Sequence, residues 1–104
     1  VAVPRFLEAR GLDVNAGLLP RVEPVDAAAH VVLKRIYNDE INHVATGTHW
    51  HRHWCTMNGL DPETHFIHVI RHRFAEQIPS PWPLDVAGRT QAGFSKQEMG
   101  AVGS

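Results

Sequence analysis

Cysteine is nearly absent from this sequence of 104 residues: Cys55 stands alone. No intramolecular disulfide can staple the fold, and a reducing, cytoplasmic setting is expected. No apolar run approaches the roughly 20 residues that span a bilayer. No signal-peptide pattern is visible, because Val1-Ala2-Val3-Pro4 leads straight into amphipathic sequence. Basic residues form no block, and the formal net charge is -1. A phosphate backbone would find no electrostatic footprint, so nucleic acid is not an expected partner. Period-two alternation is missing too, which argues against sheets. The chain also lacks an initiator methionine, as a processed protein or a piece of a longer one would.

What is present suits one small all-α domain over residues 1–104. The apolar fraction of 43% is ordinary for a globular chain and excludes a disordered tail. Histidine is in excess, with eight in all. All but His30 lie from His43 to His72.

Phe6-Leu7-Glu8-Ala9-Arg10 reads as the closing turns of a helix, stopped by Gly11. Leu12 to Pro24 then reads as a connector with one short helical turn at Ala16–Leu19. Asp26 is a good N-cap for a long helix from Ala27 to Met57, ended by Asn58-Gly59. Asp61-Pro62 starts another, continuing to about Glu76, with Phe66, Ile67, Ile70 and Phe74 as its apolar stripe. Ile78-Pro79-Ser80-Pro81-Trp82-Pro83 must be extended. A short helix follows over Leu84–Ala92, and Ser95-Lys96-Gln97-Glu98 has capping-box spacing.

The chemistry concentrates in Asp39-Glu40-Ile41-Asn42-His43. Glu40 and His43 are i,i+3 neighbours on one helix face, and a carboxylate with an imidazole suits iron, manganese or zinc. In four-helix dimetal proteins, two such pairs and two lone glutamates make the site. At about 100° per residue, Ile36, His43, Gly47, Trp50, His51 and Trp54 share the Glu40 side, whereas Arg35, His49 and His53 lie behind. Gly47 leaves room for a neighbouring helix. Glu8 is the candidate lone glutamate. For it to reach the height of Glu40, the stretch from Gly11 to Val25 must climb on the order of 18 Å beside the long helix. Leu12, Val14, Leu18, Leu19 and Val22 would pack there. Read from the residues alone, the same pair also fits a surface ion pair.

Taken together, Val3-Pro4-Arg5-Phe6-Leu7-Glu8-Ala9-Arg10-Gly11-Leu12-Asp13, Asp39 to Gly47, Gly59-Leu60-Asp61-Pro62 and Ala92-Gly93-Phe94-Ser95 resemble the DUF455 group of ferritin-like proteins. The resemblance covers most of the chain. It implies a partial ferritin-like bundle: the third and fourth core helices, a C-terminal helix and an extended tail. Glu8 then matches the lone glutamate of the third helix, and Glu40 with His43 matches the E-x-x-H of the fourth. The implied cofactor is iron, or manganese, with two ions in a complete site. The implied activity is that of a non-haem di-iron oxidoreductase or hydroxylase of unknown substrate, using a small-molecule oxidant. The first two helices and their ligands are absent. A homodimer or the missing N-terminal half is therefore the expected partner.

Two alternatives stand beside it. One is a metal-free helical interaction module. The other is a zinc site built from His49, His53 and a histidine of the following helix. His51 lies roughly 16 Å beyond Glu40 along the axis, too far to share its ion. His65, His68 and His72 read as a solvated face, Trp50 and Trp54 as core or seam, and Cys55 as an apolar filler. Arg10 with Asp13 reads as a structural ion pair, and Asp39 as a surface acid or an outer partner of Glu40.

Overall fold

The computed structural model describes residues 2–73 and 82–103, with side-chain surroundings up to residue 101. These residues form five helices: α1 (Ala2–Val22), α2 (Ala27–Met57), α3 (Pro62–Arg73), α4 (Val86–Gln91) and α5 (Lys96–Gly103). The chain is all-α across them. No helix among the described residues is long and apolar enough to cross a membrane.

The helix ends follow local chemistry. Asp26 accepts a hydrogen bond from the Ala29 amide (3.0 Å) at the start of α2. The other end closes as a Schellman motif. Gly59 sits at φ +68°, and Leu60 and Gly59 donate their amides to the Cys55 and Thr56 carbonyls. Asp61 caps α3 by accepting from the Thr64 amide (2.9 Å) and hydroxyl (2.7 Å), bonds that hold its pKa below the usual carboxylate range. Ser95 and Glu98 complete a reciprocal capping box at α5, at 3.0 and 3.1 Å.

Gly11 departs from the sequence expectation. The helix does not stop there but continues through Gly11, Gly17 and Pro20 to Val22. Gly11 has no positive φ, so it is not a cap. It faces the arriving α2, where a Cβ on Gly11 would lie 3.7 Å from Glu40 Oε1, an ordinary contact distance. Gly17 is tighter: a Cβ there would collide with the Trp82 ring. The climb beside α2 is therefore made by helix, and residues 11–22 supply about 18 Å at 1.5 Å per residue.

The four-residue turn makes α1 and α2 antiparallel, with Gly11 beside Glu40 and Arg5 beside Gly47. Ala2, Phe6, Ala9 and Leu12 of α1 meet Ile41 and Val44 of α2, Phe66 and Ile70 of α3, and Ala92, Phe94 and Met99 from the C-terminal part. The α3 stripe holds as far as it is described, although Ile67 is only half-buried. Phe74, the last turn to Glu76 and the Ile78–Pro81 part of the extended tail lie outside the described residues. Trp82 and Pro83 are non-helical.

The buried side of α2 is Ile41, Val44, Thr48, His51 and Cys55. That stripe is centred about 60° round the axis from Glu40, a correction to the expected phase. Ile36, Trp50 and Trp54 are 49%, 57% and 40% exposed, so they do not belong to the core of this chain.

Candidate functional site

Glu40 lies on the rim of the α2 core stripe and His43 beyond it, with side-chain exposures of 22% and 65%. His43 Nδ1 is 3.5 Å from Glu40 Oε2, as i,i+3 spacing on a helix requires. Glu8 is exposed on α1, one turn before Gly11. Burial raises the Glu40 pKa, and the negative charge of Glu8 raises it further, while His43 opposes the shift. The two carboxylates are thus electrically coupled across α1 and α2. The ligand atoms of Glu8, Glu40 and His43 are not gathered within 4.8 Å of one another.

Around His43 the helix surface is apolar and bare. Val32 and Ile36 on one side and Trp50 and Trp54 on the other all fall within about 80° of Glu40, on the side away from the core. Val32 is 58% exposed. The exposed face is thus an apolar stripe interrupted by a carboxylate and an imidazole.

Among the described residues, one group of three gathers its potential ligand atoms within 4.8 Å: His51, Cys55 and His65. His51 and Cys55 are one turn apart on the buried side of α2, and the Gly59 turn swings His65 of α3 onto them. His51 Nε2 is 3.0 Å from His65 Nδ1 and 3.5 Å from Cys55 Sγ. The zinc alternative expected His49 and His53. Both are exposed on α2 and lie edge-on to Trp50, with ring centroids 5.4 and 5.8 Å away. The α3 histidine meets His51 and Cys55 instead. Cys55 is fully buried, as an apolar filler would be, and its sulfur also faces the His51 ring. On the correctly phased α2 stripe His51-x-x-x-Cys55 lies on one face, whereas His65 joins them only through the fold.

His51 is fully buried. Burial first, then the Arg5 guanidinium and His65, push its pKa down to about 4, against a smaller opposite pull from Glu98. Burial also pushes the Cys55 thiol up. The unfolded chain, whose histidines titrate near 6.5, takes up a proton that folded His51 refuses. Stability is therefore lost as pH falls from about 6.5 towards about 4. Between pH 7 and pH 5 the loss from His51 is about 2 kcal/mol. Urea titrations at the two pH values should show it. His51→Gln should remove that part of the pH dependence, and an unchanged slope would refute the assignment.

The acid expected to pair with Arg10 does something else. Asp13 is buried against Arg89 of α4, at 2.9 and 2.7 Å, and Arg10 lies over the Phe6 ring. Asp39 is exposed. Tyr37 donates a short hydrogen bond to Asp85, and burial together with that carboxylate pushes its hydroxyl pKa up.

The profile of DUF455, a family described as a protein of unknown function, matches residues 1–100. An uncharacterized protein of Haemophilus influenzae is 37% identical over 98 residues. That alignment covers 93% of this chain and 33% of the relative, so the chain spans about a third of the protein it matches. No solved structure matches.

Proposed function

The chain belongs to the DUF455 family, and from that premise we propose that it is part of a ferritin-like, non-haem dimetal carboxylate protein, an oxidoreductase of unknown substrate. Glu8, Glu40 and His43 are its share of the ligands. The observation that carries the reading is the meeting of α1 and α2 at Gly11. There the Glu40 carboxylate lies 3.7 Å from where a Gly11 Cβ would sit, and its pKa is raised first by burial and then by the negative charge of Glu8. Bringing two like charges together is unfavourable unless a cation compensates. His43 adds a nitrogen donor 3.5 Å from Glu40, and this oxygen-rich set with one imidazole suits iron or manganese.

Half of a site is what these residues make. Two lone glutamates and two E-x-x-H pairs complete a dimetal centre. The other half would come from the rest of a longer protein or from a second copy of the chain. Either would cover the bare face around Val32, Ile36, Trp50 and Trp54. Within the site, Glu8 and Glu40 would hold the ions through oxygen and His43 one of them through nitrogen. When bound, the metals would supply redox chemistry towards dioxygen or a peroxide. The protein's own work is to fix the carboxylates at one height and to exclude water once the apolar face is covered.

Metal analysis tests this directly. The purified chain is loaded with iron(II) or manganese(II) and its metal content measured after desalting. Glu40→Ala and His43→Ala should each abolish retention, and Glu8→Ala should reduce it severely. Sedimentation should show whether retention accompanies a dimer. Full retention in both the Glu40 and His43 variants would reject the reading, and no retention by the unsubstituted chain would favour a metal-free helical module.

A further inference from the structure

We propose that His51, Cys55 and His65 form a second, independent metal site, which takes a single thiophilic transition ion with zinc as the natural occupant. The three donors come from two elements locked together by the Gly59 turn, so the chain brings them together without a partner. Tetrahedral zinc, with Zn–N of about 2.0–2.1 Å and Zn–S of about 2.3 Å, places two nitrogens roughly 3.3 Å apart and a nitrogen and a sulfur roughly 3.6 Å apart. The structure has 3.0 Å between His51 Nε2 and His65 Nδ1, and 3.5 Å between His51 Nε2 and Cys55 Sγ. All three ligand atoms lie within 4.8 Å of one another, so adjustments on the order of an ångström would admit the ion. Two imidazoles and a thiolate select zinc, copper or cobalt over magnesium and calcium.

Access and the fourth position point the same way. His51 and Cys55 are fully buried, but His65 is only half-buried. His65 also lines a cleft of about 410 Å³ with Trp54, His68 and Arg73. An ion can enter past His65, release the Cys55 thiol proton to solvent and keep a water on its open side. His51 Nδ1 is buried and has no hydrogen-bond partner among the described residues. Metal on Nε2 places the remaining ring proton there, so the outer support that usually strengthens a histidine ligand by about 10–100-fold is missing. The site is correspondingly weaker than a fully supported structural zinc site, and it exchanges its ion.

Cobalt(II) titration of the purified, reduced chain tests the site. One equivalent should produce a near-ultraviolet sulfur-to-cobalt charge-transfer band with tetrahedral visible bands, and zinc should bleach both. Cys55→Ser should abolish the sulfur band, and His65→Gln should weaken zinc binding by more than about 100-fold, the upper end for losing an outer partner. Circular dichroism confirms that each variant is folded, and the half-buried His65 is the safer position. Glu40→Ala and His43→Ala should leave the sulfur-to-cobalt band and its titration midpoint unchanged, which separates this site from the dimetal reading. The absence of a sulfur band in the wild-type chain, or zinc affinity unaltered in folded His65→Gln, would overturn the proposal and leave a hydrogen-bonded core cluster.

Discussion

Arg5→Ala is expected to remove about 3–5 kcal/mol of folding free energy, because it strands a buried charge. Arg5 is 1% exposed and its guanidinium is spent on three elements. Nε donates to the Thr48 hydroxyl of α2 (2.9 Å), and Nη1 and Nη2 donate to the Glu98 carboxylate of α5 (2.6 and 3.1 Å). Its plane covers the Phe94 and Phe66 rings, 4.1 and 4.7 Å from the centroids. Deletion leaves Glu98, itself 2% exposed, without its cation. A domain of this size has about 5–15 kcal/mol in total, so the variant loses a large share. Thermal unfolding should fall by roughly 4–8 °C per kcal/mol. Arg5→Lys should recover only part of this, since an ammonium cannot copy a fork that serves a carboxylate and a hydroxyl together. A urea midpoint unchanged in Arg5→Ala would show that the α1–α2–α5 junction does not rest on this residue. The same junction sets the register of α1 on α2, and hence whether Glu8 stands beside Glu40.

Legibility in the sequence followed the range of the cause. The bounds of α2, the start of α3 and the capping box at Ser95 were readable because caps are made by residues within three or four positions. Gly11 reads as a helix stop from its residue type alone, but it keeps helical backbone without a positive φ and faces Glu40 of the neighbouring helix. The α2 stripe was rotated because Ile36, Trp50 and Trp54 are apolar without being core in this chain. A single sequence does not separate an interior face from one that waits for a neighbour. The same rotation left Cys55 out of the stripe while keeping His51 in it. Arg5, Asp13, Arg89 and Glu98 were unreadable as core residues, since charged side chains are seldom buried unless paired. Their partners are separated by 93 positions in one case and 76 in the other. The ligand candidates Glu8, Glu40 and His43 were legible as a motif, whereas the meeting of His65 with His51 needed the fold.

The second large effect is expected at Asp13 and Arg89, and its sign under double substitution is informative. Arg89 Nε and Nη2 grip the two Asp13 oxygens, both side chains being almost fully buried. Asp13 Oδ1 also accepts the Asp85 amide at 2.8 Å, so one carboxylate pins the short α4 to the middle of α1. Arg89→Ala leaves that carboxylate buried and unpaired, at about 3–5 kcal/mol. Asp13→Leu strands the guanidinium at similar cost. Its Nη1 already lacks a hydrogen-bond partner among the described residues. Exchange of both residues, Asp13→Leu with Arg89→Met, removes the pair and its desolvation together, which is often neutral or better. The Asp85 amide then loses its acceptor, a penalty of about 1–3 kcal/mol. The double variant should accordingly be more stable than either single variant, though below wild type. Denaturant titration of the four proteins measures this as a coupling energy. Additive losses would mean that Asp13 and Arg89 act separately and that α4 is held by Tyr37 and Asp85 instead.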